Sequence, residues 1–349
     1  MSVNQSTDPT SVASRVQLDA ATMEKWLPRA CLIYVTDARY LPLTLTSLLT
    51  ASRTMPSNMD AIIYLDDVSA TMRDEARAFL RDWGVEAELV DFDIETLFPD
   101  TGRIPLWREG ISRAGFARLG LCGVPSGYET HVVLDGDTLV GGDMRELISV
   151  RPNGMAAVPG GHSRKGWAYL YADRSLPMAR DYLNAGLMMF DADMWRAERI
   201  EQRCMALVQD RSLDSKLARP MRDQEILNLI FGNTFHRLNP NWNFKVNRSW
   251  RLPREVPLIA HFAGRLAPWD ARDQRALPVF RHIYAEVFDR LPKALTPAVE
   301  SLMLSGRNLR HSRRFKPALG RWNRNHRKAW NPAHAPLVAD WLSLLPWNR

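Results

Sequence analysis

What constrains this chain most is an alternation, beginning at Arg29, of short apolar runs with stretches of helical periodicity. Ala30-Cys-Leu-Ile-Tyr-Val-Thr36 and Ala61-Ile-Ile-Tyr-Leu65 are short, apolar and rich in β-branched and aromatic residues, and they read as buried strands. Leu41 to Ser52 reads as a helix between them, Thr71 to Trp83 as an amphipathic helix stopped by Gly84, and Glu86 to Phe92 as a third strand. Such βαβ units predict a parallel sheet covered by helices, with ligands at the carboxyl ends of the strands. Neither GxGxxG nor a Walker A sequence follows the first strand, so a phosphate must be held in some other way. Further along, Ser112 to Leu121 and Asp223 to Phe231 are expected helices. Thr130 to Leu134, Met155 to Val158, Leu183 to Phe190 and Leu258 to Phe262 are expected strands.

With 349 residues the chain holds one large α/β domain and an extension. We divide it into a polar N-terminal segment (1–28), a main domain (29–290) and a basic C-terminal extension (291–349). The first 28 residues carry no apolar h-region, and three cysteines far apart (Cys31, Cys122, Cys204) show neither zinc spacing nor a disulfide framework. A reducing, cytoplasmic location is the expectation. Residues 301–349 carry ten basic side chains against Asp340 and so contribute +9 to a net charge of +7, leaving −2 for the remainder. The main domain therefore lacks the basic surface that nucleic-acid binding requires, and no nucleic-acid partner is expected.

The chemistry concentrates at Asp135-Gly136-Asp137, directly after the apolar run His131-Val-Val-Leu134. Two carboxylates one residue apart at a strand's carboxyl end can both reach a divalent cation, and the intervening glycine lets a ligand approach the backbone. Taken alone, the same pair also fits a solvated turn or a helix cap.

Five segments in order resemble glycosyltransferase family 8, whose members include glycogenin and bacterial lipooligosaccharide galactosyltransferases. They are Tyr34-Val-Thr-Asp-Ala-Arg-Tyr40, Phe116-Ala-Arg118, Val133-Leu-Asp-Gly-Asp-Thr-Leu-Val140, then Tyr182-Leu-Asn-Ala-Gly-Leu-Met-Met-Phe190 with Asp223-Gln-Glu-Ile-Leu-Asn228, and His261-Phe-Ala-Gly-Arg-Leu-Ala-Pro-Trp269. The resemblance implies a GT-A-type, Rossmann-like mixed α/β sheet flanked by helices. It implies a retaining, metal-assisted transfer of galactose or glucose from a UDP-sugar to a glycan or lipid-linked acceptor. Carried over position by position, it makes Asp135, Asp137 and His261 ligands of Mn2+ or Mg2+. It makes Asp37, Arg118, Asp135, Asn184, Ala185, Gly264 and Arg265 donor-binding residues, and Asp223 and Gln224 the pair nearest the anomeric carbon. On residue type alone, Asp37 and Asp223 equally suit helix caps, Arg118 a surface helix, and His261 a satisfied turn histidine.

Two positions depart from the family pattern. Ala267 stands where the last motif usually carries a diphosphate-holding lysine, and Arg265 is the nearby cation that could supply the charge. Gly160 and Gly161 stand where some members carry a sugar-reading acid, a place that His162 or Asp173 could fill. The interleaving of arginines with Phe315, Trp322, Trp330, Trp341 and Trp347 suits an anionic membrane surface, which makes residues 301–349 a candidate peripheral anchor. Competing readings are a catalytically weak sugar-nucleotide-binding or membrane-associated scaffold, and a dehalogenase-like phosphatase suggested by Leu134-Asp-Gly-Asp-Thr-Leu139. In the latter motif the threonine falls one place early.

Overall fold

A computed structural model describes residues 25–97, 113–160, 181–210, 222–232, 234–246, 257–263, 267–270 and 278–303. In chain order the elements are β1 (Ala30–Asp37), α1 (Leu41–Ala51), β2 (Met59–Asp66), α2 (Ala70–Asp82), β3 (Glu88–Phe92), α3 (Ile94–Leu97), α4 (Ala114–Leu121), β4 (Thr130–Leu134) and β5 (Thr138–Val140). They continue with α5 (Met144–Ile148), β6 (Met155–Pro159), β7 (Leu183–Asp191), α6 (Ala192–Ala197), α7 (Ile200–Gln209), α8 (Asp223–Phe231), β8 (His236–Arg237), β9 (Phe244–Lys245), β10 (Ile259–His261), α9 (Pro278–Phe288) and α10 (Thr296–Met303). One sheet runs β3-β2-β1-β4-β7-β6-β8 and a smaller one β5-β10-β9.

The βαβ rhythm predicts a parallel sheet and the family resemblance a mixed one, and the sheet is mixed. β3, β2, β1 and β4 are parallel, but β7 lies antiparallel between β4 and β6, so the large sheet is mixed. Apolar runs specify which segments are buried on both faces and leave strand direction open. Side chains alternate across β1: Ala30, Leu32 and Tyr34 join a core beneath α1, α2, α9 and α10, while Cys31 and Ile33 join one beneath α4, α7 and α8. Beyond residue 290, Leu295 and Leu302 pack into the first of these cores.

Local signals set the helix ends. The Ser69 side chain accepts from the Met72 N–H at the start of α2, and Gly84 takes the left-handed conformation (φ 68°) just after it. All of α1 is buried, including four hydroxyl residues, and those hydroxyls are bonded. Tyr34 Oη meets Ser47 Oγ at 2.9 Å, Ser47 Oγ meets Thr138 Oγ1 at 2.7 Å, and Thr138 Oγ1 donates to the Asp135 carbonyl at 2.8 Å. This buried thread ties β1 and α1 to the acidic turn between β4 and β5. That turn is one of the covalent links between the large sheet and the small one.

Candidate functional site

Asp135-Gly136-Asp137 leaves the carboxyl end of β4 and is held on both sides. The Asp135 N–H donates to the Gly186 carbonyl at 2.9 Å, and the Phe262 N–H to the Asp137 carbonyl at 3.0 Å. A Cβ on Gly136 would lie 2.4 Å from Thr44 Oγ1 and 3.3 Å from the Thr44 backbone, so only glycine lets the turn pack against α1.

His261 reaches this turn because β10 pairs antiparallel with β5, opposite Thr138. Its Nε2 lies 3.3 Å from Asp137 Oδ1 and 3.5 Å from Asp135 Oδ2. One ligand atom from each of the three residues falls within 4.8 Å of the others, the only such cluster among the described residues. Burial opposes the charged imidazolium, but Asp137, by its charge and hydrogen bond, outweighs burial and holds the His261 pKa above its ordinary value. The same pairing holds Asp137 low against its own burial. Two carboxylate oxygens and one imidazole nitrogen form a donor set that fits a hard-to-borderline divalent cation.

Behind His261 runs a buried chain of hydrogen bonds that sequence reasoning did not find. His261 Nδ1 meets Asn243 Oδ1 at 2.7 Å, and Asn243 Nδ2 donates to Asn184 Oδ1 at 2.6 Å. Asn184 Nδ2 donates to Gln224 Oε1 at 2.8 Å, Gln224 Nε2 to Tyr182 Oη at 3.2 Å, and Tyr182 Oη to Glu225 Oε1 at 3.0 Å. The amide orientations are pinned because Asn184 Oδ1 also accepts the Gly186 N–H and Gln224 Oε1 also accepts the Ala185 N–H. Asn243 Oδ1 must then accept, so Nδ1 of His261 carries a proton and Nε2 is the ring nitrogen facing the carboxylates. Asn243 lies outside the recognisable motifs. Its only signal is the Asn-Pro-Asn-Trp-Asn turn that forms a 3-10 segment at Pro240–Asn243.

Arg118 is buried, contrary to a surface-helix reading. Its guanidinium meets Asp135 Oδ1 at 2.5 Å and Asp223 Oδ2 at 3.1 Å, and donates to the Ala185 carbonyl at 2.9 Å. Asp223 is the first residue of α8 and does not cap it; the Glu225 carboxylate accepts the Arg222 N–H instead, at 2.9 Å. Burial raises the Asp223 pKa and Arg118 opposes that rise. Asn184 and Ala185 lie on β7 beside the acidic turn, and a Cβ on Gly186 would sit 2.1 Å from His261 Cε1. Asp37, at the end of β1, accepts the Tyr40 N–H at 2.8 Å and thus orders the entry to α1. Beside it in register stands Asp66, buried and paired with Arg113 at 3.0 Å, a second carboxylate at this edge that the sequence reading missed. Gly264, Arg265, Gly161, His162 and Asp173 lie outside the described residues, as do 1–24 and 304–349. The Ala267 side chain packs against the core and offers no charge.

The profile of glycosyl transferase family 8 matches residues 31–273. The chain belongs to that family. General stress protein A of Bacillus subtilis is 24% identical over 181 residues, 46% of this chain and 60% of the relative. A lipopolysaccharide 1,3-galactosyltransferase of Salmonella typhimurium is 23% identical over 146 residues, 39% of this chain and 43% of the relative. This chain thus spans less than two thirds of the length of these relatives. Among solved structures, the galactosyltransferase LgtC in complex with donor and acceptor sugar analogues superposes with a TM-score of 0.57 at 19% identity, covering 77% of this chain and 99% of that one. GlyE of Streptococcus pneumoniae follows with 0.52 at 20% identity over 78% of this chain and 63% of that one. The fold of this family 8 member is therefore the GT-A arrangement of LgtC.

Proposed function

We propose that this family 8 protein is a retaining glycosyltransferase that moves a hexose, galactose or glucose, from a UDP-sugar to a glycan or lipid-linked acceptor. The observation that carries the reading is the meeting of Asp135, Asp137 and His261 at one strand-end turn, with the Arg118–Asp223 pair beside it. In support, the Salmonella relative is named for transfer to lipopolysaccharide and LgtC was solved with both sugar analogues.

Asp135, Asp137 and His261 Nε2 would hold Mn2+ or Mg2+, which when bound neutralises charge on a departing diphosphate. Arg118 holds Asp135 in place and keeps Asp223 at the site. Asp223, with its raised pKa and one strong cationic partner, accepts hydrogen bonds from sugar hydroxyls and stabilises positive charge developing at the anomeric carbon. Gln224 anchors the β7 wall formed by Asn184 and Ala185, and Asp37 faces the base end of the donor site. Gly264 and Arg265 complete the donor contacts in this reading. Among the described residues no helix is long and apolar enough to cross a membrane, and the Trp- and Arg-rich residues 301–349 would hold the protein on an anionic membrane surface.

Manganese-dependent release of UDP from a panel of UDP-sugars tests the reading. We expect release from one sugar, abolished by EDTA and reduced at least about 100-fold in Asp137→Asn. Absence of both turnover and UDP binding would replace the transferase with the scaffold reading, the core-packed Ala267 being the feature in its favour.

A further inference from the structure

The charge inventory of the site leaves a diphosphate only partly compensated. Asp135, Asp137 and Asp223 outnumber Arg118 by two, and a divalent cation held by the three ligands cancels that excess. Among the described residues of this turn the two negative charges of a sugar-linked diphosphate then have no counterpart, and UDP released as product carries more still. Arg118 is already committed to two carboxylates and a backbone carbonyl. Ala267 contributes no charge.

A described cation stands on the strand beside this gap. Lys245 on β9 is the register partner of His261 across the parallel β9–β10 ladder, and register partners project from the same face of a sheet. Its ammonium lies near enough to Asp135 and His261 to act electrostatically on both. Yet it makes no hydrogen bond or ion pair among the described residues. It is partly buried, and burial lowers its pKa. A partly desolvated ammonium with no bonded counter-ion is costly to keep, and an anion arriving at the metal site would relieve that cost. Lysine suits the task as a compact point charge on a flexible stem that can follow phosphate oxygens as the leaving group separates.

We propose that Lys245 binds the diphosphate of the nucleotide donor, supplying from β9 the positive charge that this chain lacks at Ala267. The assignment rests on the transferase reading above and deepens it: the cation comes from the strand beside the metal-ligating histidine, and neither the closing His-to-Trp segment nor Arg265 is needed to supply it.

The test is the affinity of the full chain, in Mn2+, for UDP and for uridine, which lacks the phosphates, in wild type, Lys245→Met, Lys245→Arg and Arg265→Met. Lys245→Met keeps the aliphatic stem and removes only the charge. It should weaken UDP binding about 10- to 100-fold, the range for a hydrogen bond to a charged group, while leaving uridine affinity and Tm unchanged. Lys245→Arg should recover most of the loss. UDP affinity in Lys245→Met within about twofold of wild type, with Arg265→Met carrying the loss, overturns the assignment and moves the charge to Arg265. Equal losses for UDP and uridine also overturn it, since they mark a distorted nucleoside site. A wild-type chain that binds neither UDP nor uridine removes the transferase reading and this assignment together.

Discussion

Asn243 carries no charge and lies 18 positions before His261, yet it selects which imidazole nitrogen faces the carboxylates. The selection works because backbone N–H groups of Ala185 and Gly186 fix the side-chain amides of Gln224 and Asn184, and Glu225, accepting at the far end, gives the chain its direction. Partners that orient a ligating histidine typically contribute 10- to 100-fold in metal affinity. Asn243→Ala should therefore bind Mn2+ about tenfold more weakly, read by electron paramagnetic resonance of free Mn2+, whereas Asn243→Asp, which keeps an acceptor for Nδ1–H, should retain most of the affinity. Equal affinity in wild type and Asn243→Ala would remove the positioning role. At this scale the motif residues were legible because their chemistry is carried by type and spacing. Asn243 was not, nor were the roles of Tyr182 and Glu225 within their motif segments, because a hydrogen-bond partner is defined only by where it ends up.

The strand β4 carries a pH dependence of its own. His131 is fully buried, with Nδ1 2.6 Å from the Cys122 carbonyl, and burial drives its pKa down to about 4 from an ordinary 6.5. Between those values the unfolded chain takes up a proton that the folded chain does not, so this contribution to stability rises with pH. It is complete above about pH 6.5 and is lost as pH falls toward 4, by up to about 3 kcal/mol. Thermal melting of wild type and His131→Asn over that range checks it: the difference between the two should shrink or reverse as pH falls, and a constant difference would contradict it. Elements whose pattern was strong in sequence, such as α2 with its amphipathic spacing and Gly84 stop, have the expected type and nearly the expected ends. The two- and three-residue strands β5, β8 and β9 escaped notice because a run that short has no periodicity to read.

Over the whole sequence, residues 301–349 carry a net charge of +9 and the remainder −2. If residues 301–349 bind an anionic membrane surface, replacing Arg307, Arg310, Arg313 and Arg314 by Gln should release the full chain from vesicles containing phosphatidylglycerol, at about 1 kcal/mol per removed charge, while leaving UDP binding unchanged. Sedimentation with vesicles reads the outcome, and unaltered vesicle binding would exclude the electrostatic anchor. By itself the sequence determined the alternating α/β class, the strand-end position of Asp135 and Asp137 and the order of the family segments, because burial pattern and residue chemistry are local properties of the chain. Tertiary structure decided the reversal of β7 that puts Gly186 against Asp135, the β5–β10 pairing that brings His261 to a turn over 120 residues earlier, and the β9 register that turns Lys245 toward it. Those are choices among strand pairings equally compatible with the same apolar runs, and only the packing of two sheets around one turn makes them.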